Sequence, residues 1–356
     1  MNSEIKETNA LNNKCPACNA SIDFNPTIGK WKCQYCGSEY TLEEMQKYNN
    51  ASNDKVNEGS NGDDTSYDLY RCKDCGAEII ADENTASTFC VYCGNSTILK
   101  SKLSGKFAPD FIIPFKTEKE KSITAFKNIS KGRPLTPKGF NSEKNIEKIR
   151  GIYIPFWLYD INVDGSINAN GEKVTSWTSG NTHYTKTDVY KLYRTASMNY
   201  EKIPVDGSTR FDDKILNTIE PYDYKELKPY NHAYLSGFLS EKYDTSSDDL
   251  FKIAQDRAYN STKNKMLDDM KGYTSKRIFE DTLKVVKNNT YYALLPVWMV
   301  NVKYNNKYYT FAMNGQTGEF IGNIPIDVKK TIIISISLFV GIFALLMLIS
   351  FIAYLV

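Results

Sequence analysis

The chain has 356 residues, a length that favours two or three folded units over one compact domain. Hydrophobic residues make up 41% of the sequence and charged residues 24%, and this ordinary balance excludes a chain that is disordered throughout. The formal net charge of +2 is close to neutral, so total charge gives no reason to expect a polyanionic partner.

The cysteines all lie within roughly the first quarter of the chain, and all of them form C-x-x-C pairs. They are Cys15, Cys18, Cys33, Cys36, Cys72, Cys75, Cys90 and Cys93. A shift of 57 residues superposes the first four on the last four, and Gly37 and Gly94 follow the last cysteine of each group. Glycine suits the backbone angles of a tight turn at that point. The pattern predicts a duplicated metal-binding module.

Zinc is the metal that this pattern favours, because four thiolates complete a tetrahedral site and each C-x-x-C turn supplies two of them. We predict two structural zinc ions, one in a zinc ribbon over residues 13–42 and one in a ribbon over residues 70–99. The spacing alone leaves open iron in a rubredoxin-like site, or disulfides. Residues 1–14 are mostly polar and contain no apolar stretch of a signal peptide. We therefore expect reducing surroundings, which favour metal binding over disulfides.

Residues 43–69 connect the two ribbons. From residue 48 to residue 66 this segment is almost free of apolar side chains. Such a composition is typical of a flexible linker, so we expect the two ribbons to move independently.

Residues 106–326 form the body, which the hydrophobic pattern predicts to be α+β. Apolar and aromatic runs predict strands at 111–115, 152–161, 291–304 and 307–313. Helical spacing predicts one helix over 117–131 and a longer one from residue 246 to about residue 287, broken or kinked at Gly272. We expect an antiparallel sheet with helices on one face.

The C-terminal segment predicts a transmembrane helix. Residues 331–356 contain no charged side chain, and a helix of this length is long enough to cross the hydrocarbon core of a bilayer. Lys329 and Lys330 precede the segment. By the positive-inside rule we expect a single-pass protein of the cell membrane whose N-terminal domains face the cytoplasm.

The sequence offers no catalytic motif, so we predict that the protein is not an enzyme. His183 and His232 lie in polar, loop-like stretches without metal-ligand spacing, and every cysteine is already assigned to a ribbon. Phosphate-binding and dinucleotide-binding glycine motifs are both lacking from the sequence, and no small-molecule substrate is evident.

One stretch has a marked charge imbalance. Residues 100–150 contain thirteen Lys or Arg residues against five Asp or Glu residues. They could contact nucleic-acid phosphates or the anionic inner leaflet of the membrane. A solvent-exposed lysine-rich surface is the alternative interpretation. Trp31, Tyr35 and Tyr92, beside the cysteine turns, either stack on nucleic-acid bases or pack the small ribbon cores.

Several motifs resemble those of a bacterial family, the uncharacterised TFIIB-type zinc ribbon-containing proteins. Besides the paired ribbons, the motifs are Phe111-Ile-Ile-Pro-Phe115, Gly151-Ile-Tyr-Ile-Pro-Phe-Trp-Leu-Tyr-Asp160, Ile203-Pro-Val-Asp206, Glu220-Pro-Tyr-Asp223, Tyr234-Leu-Ser-Gly-Phe-Leu-Ser-Glu-Lys-Tyr243 and Leu294-Leu-Pro-Val-Trp298. The resemblance covers nearly the whole chain. It implies that the eight cysteines are zinc ligands and implies nothing further about function.

We therefore expect a non-enzymatic adaptor, anchored by its C-terminal helix, whose zinc ribbons bind a protein partner on the cytoplasmic side. The alternative is a membrane-tethered protein that binds DNA or RNA through the ribbons and the basic stretch.

Overall fold

The computed structural model describes part of the N-terminal region and nearly all of the body. The described residues are 10–11, 13–51, 67–71, 78–82, 85–89, 96–99, 107–129, 131, 133–140, 142, 146, 149–305 and 307–355. Four of the predicted ligands, Cys72, Cys75, Cys90 and Cys93, lie outside the described residues, as do Tyr92 and residues 52–66 of the predicted linker.

Short strands dominate the described part of the N-terminal region. They are β1 (Ala10–Leu11), β2 (Asp23–Asn25), β3 (Lys30–Lys32), β4 (Glu39–Tyr40), β5 (Tyr67–Arg71), β6 (Glu78–Asp82), β7 (Thr85–Phe89) and β8 (Ser96–Leu99). The body adds β9 (Phe111–Ile112), β10 (Arg150–Ser179), β11 (Thr182–Asp206), β12 (Lys228–Pro229), β13 (Leu239–Glu241), β14 (Ser275–Asp281), β15 (Lys284–Tyr304), β16 (Lys307–Asn314) and β17 (Phe320–Gly322). The strands predicted at 152–161, 291–304 and 307–313 are confirmed within β10, β15 and β16.

The helices are α1 (Leu42–Ala51), α2 (Lys119–Asn128), α3 (Asp213–Thr218), α4 (Ser247–Asp269) and α5 (Val328–Leu355). Short 3-10 turns span Tyr224–Glu226 and His232–Leu235. The predicted linker is therefore wrong over residues 43–51. Thr41 and Glu44 form a capping box, with the Thr41 N–H donating to Glu44 Oε2 at 2.7 Å, and Met45 of the helix is wholly buried.

The long helix predicted to reach residue 287 is also wrong beyond α4. The break falls near Gly272, which has a φ of +84°, and the chain then continues as β14 and β15. Ile278 packs under α4, whereas its neighbour Phe279 is exposed. This alternation has the period of two residues that belongs to a strand, and pairing with β10 stabilises it over a helix.

One mixed sheet joins most of the strands into an α+β fold. Its order in the described chain is β1-β8-β7-β13-β10-β15-β16-β17, with β11 and β14 on β10, and with β9 and β12 at the side of β15. Most pairs are antiparallel, but β10–β13 and β15–β9 are parallel, so the predicted antiparallel sheet is corrected to a mixed one. Parallel pairing arises because β13 and β9 are reached through long connections rather than hairpins.

Helices pack on both faces of this sheet, not on one as predicted. Tyr153 and Leu294 belong to a core that includes Phe126 of α2, on the same face as the first cysteine pairs. Their neighbours along the strands, Ile154 and Leu295, belong to a core that includes Leu216 of α3. Successive strand residues point to opposite faces, so the two cores lie on the two sides of the sheet.

Strands β10 and β11 form one long hairpin. Ser179 pairs with Thr182 across a two-residue turn that begins at Gly180, whose φ is +58°. The neighbouring strand β15 pairs with β10 only up to Asp164, and β14 only up to Glu172. We call residues 165–196 the arm. Its outer part, residues 173–188, is a ribbon of two strands among the described residues.

The apolar C-terminal segment forms α5. It is the one helix of the described chain that is long and apolar enough to cross a membrane, and its apolar window, 328–350, has no residue buried inside the protein. At 1.5 Å per residue, 28 residues extend about 42 Å, more than the thickness of the hydrocarbon core.

Candidate metal centre and its packing on the body

The first four cysteines come together in space. Cys15, Cys18, Cys33 and Cys36 place their sulfur atoms within 4.8 Å of one another, an arrangement that could hold a metal ion. The separation is 3.6 Å both between Cys15 and Cys36 and between Cys18 and Cys33. A tetrahedral tetrathiolate site with metal–sulfur bonds of about 2.3 Å places its sulfurs roughly 3.8 Å apart. A disulfide needs about 2.05 Å, so the observed distances fit a metal site.

Two tight turns position these sulfurs. Asn19 follows the first pair with a φ of +59°, and Gly37 follows the second with a φ of +77°, which confirms the turn predicted at Gly37. Each turn is closed by a backbone hydrogen bond, from the Asn19 N–H to the Cys15 carbonyl at 2.8 Å and from the Gly37 N–H to the Cys33 carbonyl at 3.0 Å. Strands β2 and β3 lie between the two turns and form a small sheet with β4, which follows the second turn.

The four sulfurs differ in their surroundings. Cys15 and Cys33 are buried, and Cys18 and Cys36 are exposed. Hydrogen bonds with the side chain and backbone of Ser38 lower the pKa of Cys36 to about 6, and Ser38 Oγ lies 3.3 Å from its sulfur. A backbone hydrogen bond from Ala20 lowers the pKa of Cys18, but partial desolvation and the neighbouring sulfurs of Cys36, Cys33 and Cys15 together outweigh it and raise the pKa to about 12. A metal ion bound by all four thiolates would relieve this competition.

The cysteine turns do not form a free-standing domain. We call residues 13–51 the first module, and its aromatic side chains pack directly on the body. Trp31 is wholly buried, and its ring centroid lies 4.9 Å from that of Phe24 and 5.3 Å from that of Tyr234 in the body. Its indole N–H donates to the carbonyl oxygen of Ala233 at 3.1 Å. Trp31 is therefore part of a core shared by the first module and the body, and is not available to stack on a base.

Polar contacts extend this packing along the turn formed by His232–Leu235. The side chain of Asn231 caps the turn by accepting the Ala233 N–H at 2.8 Å. The Asn13 amide donates to the Ser236 hydroxyl, and the Phe24 N–H reaches the Ser236 carbonyl at 3.4 Å. Sequence reasoning assigned no role to these body residues. The only signal was the family-like motif from Tyr234 to Tyr243, which contains two of the partners.

Gly237 fixes how closely the module approaches the body. Its φ of +83° favours glycine, and a Cβ at this position would lie 3.1 Å from Cβ of Asp23. Beside this contact a cleft of 660 Å³ separates the module from the body, with Asp23, Arg150 and Trp298 in its lining. Burial raises the pKa of the Asp23 carboxyl above its ordinary value.

The region of the second four cysteines also joins the body. Strand β7, just before Cys90, pairs with β13, and the buried Ser87 hydroxyl donates to the Phe238 carbonyl. Strand β8 pairs with β7 and with β1. The cysteines themselves lie outside the described residues, so the described chain brings together four of the eight predicted ligands.

The other predicted residues lie away from the cysteine group. Tyr35 is 86% exposed beside Cys36. His183 follows the hairpin turn of the arm, with its Nδ1 atom 3.2 Å from Thr178 Oγ1, and His232 begins the turn that carries Ala233. In the basic stretch, Lys116 pairs with Glu226, Arg150 lines the cleft and Arg133 lies near α5.

Comparison with known proteins places the chain in a family. It is 35% identical over 317 residues to the uncharacterized protein YdjG of Bacillus subtilis strain 168, and the match covers 89% of this chain and 91% of that protein. The chain belongs to the YdjG family. No protein-family model matches it, and no solved structure matches it. The relative has no characterised function, so membership of the YdjG family assigns no activity.

Proposed function

We propose that this protein is a non-enzymatic adaptor, anchored in the cell membrane by α5, that binds a protein partner on the cytoplasmic side. Structural zinc in both cysteine groups, as in tandem TFIIB-type ribbons, fixes the N-terminal region on the body. The second site is proposed from the repeat in the sequence, and the first also from the sulfur geometry. The observation that carries the adaptor role is the arm.

The strand register separates the arm from the membrane anchor. The body end of β10 pairs with β15 near Met299, and β15 continues into β16 and β17 at that end. Helix α5 begins six residues after β17. A strand of 30 residues extends roughly 100 Å, so the tip of the hairpin lies far from the start of α5. This geometry favours a reach from the membrane toward a partner in the cytoplasm.

The side chains of the arm support a protein interface. Trp177 is 47% exposed and stacks on Tyr184 with ring centroids 5.5 Å apart, and Tyr193 is 58% exposed. Val189 and Phe279, on β11 and β14, are also exposed. Exposed apolar groups of this kind mark interaction sites, and tryptophan and tyrosine are enriched where binding energy is concentrated.

The nucleic-acid alternative has less support. It drew on the cysteine turns, with Trp31, Tyr35 and Tyr92 beside them, and on the basic stretch 100–150, and Trp31 is buried against the body. The described basic residues of 100–150 lie instead in separate places, with Lys116 paired to Glu226 and Arg133 beside α5. Tyr35 is exposed, so the crosslinking experiment below also tests whether the protein binds nucleic acid.

One acidic pair in the body, the buried Asp206 and the half-buried Glu220, is the feature on which an enzymatic function would draw. Burial raises the pKa of Asp206 to about 6 and also raises that of Glu220. Arg257 lies 3.4 Å from Glu220 and donates to the Pro204 carbonyl at 2.6 Å, which connects α4 to β11. This network supports a structural role, because the arginine is held by backbone and side-chain acceptors of the fold itself.

Photocrosslinking in native membranes tests the proposal. A photoreactive phenylalanine analogue at Tyr184 or Val189 of the full-length protein is expected to crosslink to one shared protein, and Trp177→Ala is expected to remove that crosslink. Lys252, exposed on α4, is the control position. Crosslinks that disappear with nuclease would support the nucleic-acid alternative. Arm positions that capture nothing beyond the Lys252 control would refute the adaptor role of the arm.

A further inference from the structure

The loop at residues 133–140 is attached to the start of α5. The Asp327 N–H donates to the Leu135 carbonyl at 2.9 Å, and the Lys330 ammonium donates to the Thr136 carbonyl. Lys330 immediately precedes the uncharged apolar run of α5. If α5 spans the bilayer, these bonds hold the loop at the level of the lipid headgroups.

A polar cleft of 430 Å³ lies between the loop and the helix. Arg133, Thr136, Ser142 and Lys330 contribute polar groups to its lining. Thr136 is only 8% exposed, and its hydroxyl oxygen has no hydrogen-bond partner among the described residues. A buried hydroxyl without a partner is costly, so this cleft is built to accept a polar ligand.

The charge around the cleft is strongly positive. Both charged residues of its lining, Arg133 and Lys330, are cations. Lys131, Lys138 and Lys329 are their neighbours in the sequence, and none of the five pairs with a described carboxylate. Asp327 is the acid at the start of α5, and its carboxylate accepts the backbone N–H groups of Lys329 and Lys330 at 3.0 and 3.2 Å. The carboxylate is thus engaged in capping the helix, and the cations stay available for an anion.

We propose that this juxtamembrane cleft binds the phosphate headgroup of an anionic phospholipid. Arg133 and Lys330 supply the charge, and the Thr136 and Ser142 hydroxyls supply hydrogen bonds. The inference rests on the membrane-anchored part of the proposed function. An anionic headgroup is favoured over a zwitterionic one because the ammonium of the latter cancels its phosphate charge. Each cation near the surface is expected to raise the association constant roughly fivefold.

Lipid association in reconstituted bilayers tests the proposal. The full-length protein is placed in phosphatidylcholine nanodiscs, and spin-labelled phosphatidylglycerol and phosphatidylcholine are compared as probes of lipid contacts. The wild type is expected to prefer phosphatidylglycerol several-fold, and Arg133→Gln and Lys330→Gln are each expected to reduce that preference. Arg133 is exposed, so its substitution should leave the fold intact. Lys252→Gln on α4 is the control, because it also removes one positive charge but lies outside the cleft.

The experiment distinguishes failure of the headgroup site from failure of the membrane anchor. Equal association of the two lipids with the wild type, or an unchanged preference in Arg133→Gln, would overturn the headgroup site while leaving the anchor standing. Displacement of phosphatidylglycerol by millimolar inorganic phosphate would identify a soluble phosphate ligand instead. A protein that does not enter nanodiscs at all would overturn both the anchor and the headgroup site.

Discussion

The first module and the arm use the same kinds of side chain for opposite purposes. In the module, Trp31 is wholly buried between Phe24 and Tyr234 and donates a hydrogen bond to the body. In the arm, Trp177 stacks on Tyr184 with about half of its surface exposed. A buried aromatic group with a satisfied N–H contributes to folding. An exposed pair on a two-stranded ribbon contributes little to folding and is better explained by binding.

The comparison also shows where stability is concentrated. The module has three very short strands and one helix, so we expect it to need both a metal ion and the body to hold its shape. The arm is continuous with the longest strands of the main sheet and is stabilised at its base by Met266 of α4 and by Met270, which directly follows the helix. Substitutions in the module should therefore lower the unfolding free energy of the protein much more than substitutions at the tip of the arm.

Loss of the metal should produce the largest effect. Cys33→Ser removes a buried ligand, and we expect the zinc content to fall by about one ion per chain. Structural zinc supplies about 10–16 kcal/mol in zinc-finger peptides, so amide protection in β2, β3 and β4 should be lost. Zinc analysis and hydrogen exchange of the full-length protein measure both quantities. Trp177→Ala should leave the zinc content and the amide protection unchanged. Full retention of zinc by Cys33→Ser would contradict the predicted metal site at Cys15, Cys18, Cys33 and Cys36.

Removal of each tryptophan ring should give the next largest difference. Trp31→Ala deletes a buried ring and leaves the Ala233 carbonyl without its donor, so we expect a loss of about 3–5 kcal/mol in unfolding free energy. Trp177→Ala should cost about 0.5 kcal/mol, since surface substitutions usually fall in that range. Denaturant unfolding of the detergent-solubilised protein provides the measurement, with Trp31→Phe as a milder control. Equal losses at the two sites would refute the contrast between module and arm.

Sequence patterns were informative where one local rule controls the structure. The spacing of Cys15, Cys18, Cys33 and Cys36 predicted a group of four cysteines, because a tight turn positions each pair without help from the rest of the chain. The uncharged run of residues 331–356 predicted a long apolar helix for a similar reason, since length and composition suffice.

Sequence patterns did not predict the structure where contacts between distant parts of the chain determine it. The packing of Trp31 on Ala233 joins residues 202 positions apart, and nothing in the local sequence of either one reports it. Residues 275–287 carry apolar groups that fit helical spacing, but pairing with β10 places residues 275–281 and 284–287 in strands. The arm was missed because its polar and β-branched residues, such as Thr175 and Thr187, show no clear alternation between a buried and an exposed face.

A pH-dependent effect at the body end of β11 should be smaller than either loss in the module. Burial, then the charge of Asp213, raises the pKa of the Asp206 carboxyl to about 6 from an ordinary value of 3.8. The folded state thus binds this proton more tightly than the unfolded state, and stability falls as pH rises from about 4 through about 6. Asp206→Asn should be more stable than the wild type by about 1–2 kcal/mol at pH 8.

Thermal unfolding of the full-length protein at pH 8 and near pH 4 measures this effect, and the advantage of Asp206→Asn should vanish at the lower pH. Asp160 is the matched control with the opposite sign. Burial raises its pKa, but hydrogen bonds and charge from Lys202 lower it overall, so Asp160→Asn should destabilise the protein at neutral pH. An Asp206→Asn variant that is equally stabilised at both pH values would contradict a titration effect.

The smallest expected effect is the coupling between Trp177 and Tyr184. The two residues face each other across the arm, and a cross-strand aromatic pair contributes about 0.5–1 kcal/mol. A double-mutant cycle with alanine at both positions measures this energy from denaturant unfolding, with Ser176 and Thr185 as the neighbouring control pair. A coupling above about 2 kcal/mol would mean that the rings stabilise the arm itself. A small coupling, together with loss of the crosslinked partner in Trp177→Ala, would mean that the exposed rings contribute to binding rather than to folding.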